Sequence, residues 1–154
     1  MLRLVDYNVF LRCMQTIERS ATVPYSAQQM YDLVNDVARY PEFIPFCLQG
    51  VVHEQGSDFM RASLVFGKGV LSHKLTTVNS LVSGQSINMA FESGPLKSLE
   101  GKWQFTELEG HTQISFQADF ELLAHMSFLK PMFTRIMDDM VMRFCQRARD
   151  IYGD

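Results

Sequence analysis

The chain carries four histidines and three cysteines, the residue types that most often hold metals or act as acids, bases and nucleophiles. His53, His73, His111 and His125 stand singly. No two of them lie four apart, as a helical zinc pair requires. Cys13, Cys47 and Cys145 are widely separated and form no C-x-x-C, so they read as free thiols in a reducing cytosol. There is no G-x-S-x-G elbow, no phosphate-cradling glycine loop and no H-E-x-x-H. The remaining opening for acid–base chemistry is His73-Lys74. Both fall inside a predicted strand, so one must face its covered side. A satisfied histidine or a lysine with its stem laid along the sheet explains that pair without catalysis. The expectation is a binding protein and not an enzyme, with no catalytic residue, no metal and no required cofactor.

Apolar residues give the stronger signal. Phe occurs 12 times and Met 10 times, and both suit a wide apolar space. Phe43, Phe46, Met89, Phe91, Trp103, Phe105, Phe116, Phe120, Phe133, Met137, Met140 and Phe144 are expected to converge between a sheet and a helix. Gly101 falls mid-strand on the same face and is expected to leave a space that no side chain fills. Together these are the candidate ligand pocket. Simple core packing produces the same stripes. Burial of isoprenoid carbon is worth about 0.8 kcal/mol per CH₂. A lipid tail could therefore use such a lining, whereas a small polar ligand could not.

A net charge of −3 and a pI near 5.8 argue against a broad, non-specific grip on nucleic acid, DNA included. A local basic patch is compatible with them. Arg135, Arg143 and Arg147 share one side of a C-terminal helical pattern and could touch ribosomal RNA. Arg135 and Arg143 are each spaced to pair with Asp139, and a solvated, charge-balanced surface is the stronger reading of them.

These residues need elements to hold them. A first strand is predicted over 15–23. Ser26 then caps a helix, with Gln29 completing a capping box and Tyr25 and Met30 at the staple positions. The stretch 40–47 contains Pro41 and Pro45, which restrict it to a helical turn or a stiff loop. Strands are predicted over 48–54, 59–66, 70–80, 87–91, 98–107 and 113–122, joined by short turns that make neighbours antiparallel. Strict alternation in the last two leaves one face wet and one covered. The cover is a helix from about 127 or 130 to 151, with Pro131 acceptable only near its start. The length of 154 residues fits one domain, read as 14–154. Residues 1–13 read as an extension outside it, or as a short strand or helix. The fold class is α+β.

Specific strings now matter. Val23-Pro24-Tyr25-Ser26, Val34-Asn35-Asp36-Val37 and Tyr40-Pro41-Glu42-Phe43-Ile44-Pro45-Phe46-Cys47 precede Gly94-Pro95-Leu96-Lys97 and Leu99-Glu100-Gly101-Lys102-Trp103-Gln104-Phe105. In this order they resemble the coenzyme-Q-binding branch of the START and polyketide-cyclase superfamily, over about 14–152. The resemblance implies a helix-grip (START/Bet v 1-like) fold. In it, a curved antiparallel sheet of about seven strands wraps a long C-terminal helix, with short helices between strands 1 and 2. It also implies a ubiquinone-like ligand held between sheet and helix in support of respiration. Alternatively, as in bacterial members described as toxins, it implies binding to the large ribosomal subunit and a block on subunit joining. A cyclase or aromatase activity is the third reading. Transient membrane contact and a cytoplasmic location complete the expectations.

Overall fold

The computed structural model describes residues 14–68 and 70–153. The reading made for residues 1–13 lies outside them. Seven strands form one antiparallel sheet in the order β1-β7-β6-β5-β4-β3-β2. They are β1 (Gln15–Val23), β2 (Cys47–Gln55), β3 (Phe59–Lys68), β4 (Leu71–Val82), β5 (Ser86–Ser93), β6 (Leu96–Leu108) and β7 (His111–Leu122). Consecutive strands from β2 to β7 are neighbours because their links are too short to cross over. Only β1 reaches its partner, β7, from a distance in sequence.

The link from β1 to β2 carries helix α1 (Ala27–Asn35) and a 3-10 turn (Val37–Glu42). α1 starts where predicted. Ser26 accepts from the Gln29 backbone, and Gln29 answers to the Ser26 N–H. Pro41 sits inside the 3-10 turn, whose sparser hydrogen bonding tolerates a missing N–H better than an α-helix does. The chain then bends at Phe46, a non-glycine residue with φ of 65°. The Phe46 carbonyl accepts from Gly67 N–H on β3, which ties the bend to the sheet.

A second 3-10 turn (Ala124–Leu129) leads into α2 (Lys130–Tyr152). Pro131 lies in its first turn, as its missing N–H demands, and Gly153 at φ 81° ends it. α2 lies across the sheet's covered face. Its inward stripe is Phe133, Ile136, Met137, Met140, Val141, Phe144 and Ala148. Its outer side holds it in place. Arg19 of β1 pairs with Asp138, Arg147 pairs with Glu42, and Tyr152 Oη donates to the Gln29 carbonyl.

The core is aromatic at its centre. Trp103, Phe116, Phe120, Phe133 and Phe144 are almost wholly buried. Trp103 lies 4.5 Å from Phe116 and 5.3 Å from Phe144, ring centre to ring centre. The alternation read in β6 and β7 holds throughout, with Leu99, Gly101, Trp103 and Phe105 buried against exposed Glu100, Lys102 and Gln104.

Candidate functional site: a lined cavity under the C-terminal helix

Between sheet and α2 lies a cavity with about 50 Å³ of free room. Its floor is Ala62, Leu64 and Phe66 of β3, Leu75, Thr77 and Asn79 of β4, and Ile87, Met89, Leu99 and Trp103 beyond. Ile136, Met137 and Met140 of α2 form the roof, and Val34, Asn35, Val37 and Tyr40 close one side. Alternation puts the strand residues there, since every second side chain of β3 and β4 points to the same face. Small-molecule sites commonly span about 300–1,000 Å³. A lipid therefore enters only if the lining moves. Methionine is the side chain best suited to that, and Met89, Met137 and Met140 all border the space.

Of the thirteen residues expected to form a pocket, Met89, Trp103, Met137 and Met140 meet at the cavity. The other aromatics surround it. Phe144 packs edge-on against Tyr40, Phe43 and Trp103, and Phe133 packs against Phe66. Phe105 packs against Tyr31, and Phe116 and Phe120 are sealed behind the Trp103 layer. Phe46 forms the bend before β2, and Phe91 is half-buried opposite Thr77. Gly101 requires a correction. It does face inward, but the Met89 methyl occupies the place its Cβ would take. The space is filled from the neighbouring strand, where Met89 is the register partner of Gly101.

Two residues that sequence reasoning missed give the cavity its polarity. Asn35 and Asn79 both line it, and the Oδ1 of each is buried without a hydrogen-bond partner. Asn79 is 6% exposed. The signal was present but faint, because Asn79 shares the inward parity of Leu75, Thr77 and Leu81. Tyr40, by contrast, is satisfied: its hydroxyl donates to the Val34 carbonyl, and burial pushes its pKa up.

The titratable candidates sit elsewhere. His73 takes the covered side of β4, as one of the pair had to, with its ring 6.2 Å from Phe128, while Lys74 is exposed. His53 bonds the Ser63 hydroxyl at 2.7 Å, and Ser63 contacts Thr76. This serine is 1% exposed, so the pair joins strands on the convex face and offers no nucleophile to a substrate. Among the described residues no group of three His, Cys, Asp or Glu side chains comes together. No helix there is long and apolar enough to cross a membrane.

The arginines differ from one another. Arg135 is exposed, whereas Arg143 is half-buried with an unpartnered Nε. Arg147 is engaged, bonding Glu42 at 2.7 Å with its guanidinium 4.9 Å from the Phe43 ring centre. That bond holds the Glu42 carboxyl below its usual pKa. Among the described residues Asp139 forms no ion pair with Arg135 or Arg143, and its neighbour Asp138 pairs with Arg19 of β1.

A single antiparallel sheet gripping one long helix over an apolar cavity is the helix-grip architecture. A family model described as "Polyketide cyclase / dehydrase and lipid transport" matches residues 23–145. The chain belongs to that START-like family. It is 46% identical to "Ribosome association toxin RatA" of Pseudomonas aeruginosa, over 89% of this chain and 97% of that one. It is 28% identical to "Coenzyme Q-binding protein COQ10, mitochondrial" of Drosophila melanogaster, over 94% of this chain and 63% of that one. Among solved structures, the Zhui aromatase/cyclase of a Streptomyces species superposes with a TM-score of 0.76 at 18% identity, covering 88% of this chain and 94% of that one. That likeness fixes the helix-grip fold and nothing of the chemistry.

Proposed function

We propose that this protein is a cytoplasmic ribosome-association inhibitor that binds the large ribosomal subunit and hinders subunit joining, without enzymatic activity. The observation that carries it is the 46% identity to RatA across nearly the whole of both chains. The exposed side of α2, with Arg135 and the half-buried Arg143, is the contact proposed for ribosomal RNA. Arg147 contributes indirectly, by holding α2 to the 3-10 turn through Glu42. The test is to pellet the protein with isolated large or small subunits through a sucrose cushion at rising salt. Co-pelleting with the large subunit, falling steeply with salt because phosphate contacts release counterions, supports the reading. Arg135→Glu should weaken it without unfolding the protein, since Arg135 is exposed. No pelleting with either subunit would end the proposal.

A second reading is favoured by the cavity: the protein holds a ubiquinone-like lipid under α2. The more distant COQ10 relative supports it. The two readings meet on one helix, whose inner face carries Met137 and Met140 and whose outer face carries Arg135 and Arg143. A ligand that lifts the inner face would shift the outer one. Loading would occur by transient membrane contact at the β3–β4 hairpin, where Val70 is 99% and Leu71 64% exposed. Phe128, 62% exposed, stands close by on the second 3-10 turn, and Lys68 and Lys130 flank these side chains.

A further inference from the structure

The cavity has two unlike ends. Along the β3–β4 ladder, Phe66 faces His73 near the hairpin tip, and Met60 faces Asn79 six positions away. At about 3.3 Å per residue that separation is roughly 20 Å. At the tip end the lining itself is apolar, ending at Phe66 and Leu75, and His73, whose Nε2 is also buried without a partner, stands beyond it against Phe128. The far end holds Asn79, and Asn35 belongs beside it. Met60, the strand partner of Asn79, borders a surface groove together with Asn35 at the end of α1. Both side chains present a buried Oδ1 with no partner. Buried polar groups are almost always hydrogen-bonded, so two orphans in one apolar cavity call for an occupant.

What that occupant carries follows from the rest of the lining. Among the described residues, no Lys, Arg, His, Asp or Glu borders the cavity. A carboxylate or phosphate head would be buried there without a counter-charge, which costs far more than burying a neutral polar group. A carboxamide accepts a hydrogen bond through its oxygen and, turned over, donates through its nitrogen. It therefore suits a hydroxyl or a carbonyl equally.

We propose that Asn35 and Asn79 form a head-group subsite, selecting a neutral lipid whose head bears a carbonyl or hydroxyl and rejecting anionic heads, with the tail directed toward the β3–β4 hairpin. The assignment rests on the lipophile-binding reading. The room also suffices for water, which such a head would displace.

Trp103, the single tryptophan and a lining residue, reports occupancy. The probe is a dimethoxy-methyl-benzoquinone bearing two isoprenoid units, read by quenching of Trp103. Squalane, which has no head, and palmitate, which has an anionic one, are added as displacers. The parent should show saturable quenching, and palmitate should displace the quinone no better than squalane does. Asn79→Leu should weaken quinone binding roughly tenfold, the size expected for one lost buried hydrogen bond. Its affinity for squalane should be unchanged or higher. Asn35→Leu provides the same comparison should the first variant fail to fold. Full quinone affinity in a folded Asn79→Leu variant, or tight palmitate binding by the parent, overturns the head-group assignment while leaving lipid binding intact. Absence of any saturable quenching in the parent overturns both.

Discussion

At the scale of single residues, orientation decides what each side chain does. Cys47 and Tyr40 are both buried beside the bend that precedes β2. Burial pushes the Cys47 thiol up to about 11 and raises the Tyr40 phenol as well. Both stay protonated in the fold, while in the unfolded chain they ionise near 9.0 and 10.0. Between those values and the folded ones the unfolded state holds fewer protons, so stability must fall as pH rises. Denaturation midpoints should be unaffected by these two groups below about pH 9 and decline above it. A thiol reagent at pH 8 should leave Cys47 unmodified until the protein unfolds. The inward placement of Trp103, Met137 and Met140 was legible in the sequence, because alternation in β6 and helical spacing in α2 leave them no other side. The filling of the Gly101 space was not. It depends on the rotamer of Met89 one strand away, and no pattern along a single strand encodes that. Asn79 escaped notice for a related reason: β4 carries apolar residues on both parities, so its covered face was not marked.

At the scale of elements, local rules placed almost everything. The capping box at Ser26 and Gln29, the proline in the first turn of α2 and the short links between strands each specify a boundary or a neighbour. Most strands from β2 to β7 run one or two residues past their expected ends, since hydrogen-bonded ladders continue into the turns, while β1 keeps its expected bounds and β4 starts one residue late. Two glycines act between elements. A Cβ at Gly50 would strike the Val37 carbonyl of the 3-10 turn, and one at Gly67 would strike the Leu71 carbonyl in the hairpin. Both neighbours are backbone, which cannot swing aside. Ser26→Ala should therefore cost about 1 kcal/mol, the usual worth of an N-cap. Gly50→Ala should cost more, as overpacking against fixed atoms typically costs about 1–3 kcal/mol. Urea denaturation of both variants measures the difference. An equal or larger loss in Ser26→Ala would show that the contact of β2 with the 3-10 turn is loose.

At the scale of the whole molecule, the fold places two surfaces back to back on α2. The inner surface is apolar, small as it stands, and lined by adaptable methionines with an amide-bearing end. The outer is charged, mixed in sign, and braced by Arg19–Asp138 and Arg147–Glu42. The sequence led first to the inner surface, through its aromatic content. The likeness to RatA shifts weight to the outer one, and nothing in residue spacing could have signalled a ribosome. The most direct test of the account is subunit joining itself. Purified large and small subunits are mixed at a joining concentration of magnesium, and light scattering follows formation of the joined ribosome. The protein, incubated first with the large subunit, should reduce the scattering amplitude in proportion to its amount, and Arg135→Glu should do so less. An amplitude unchanged at saturating protein would contradict the proposed function.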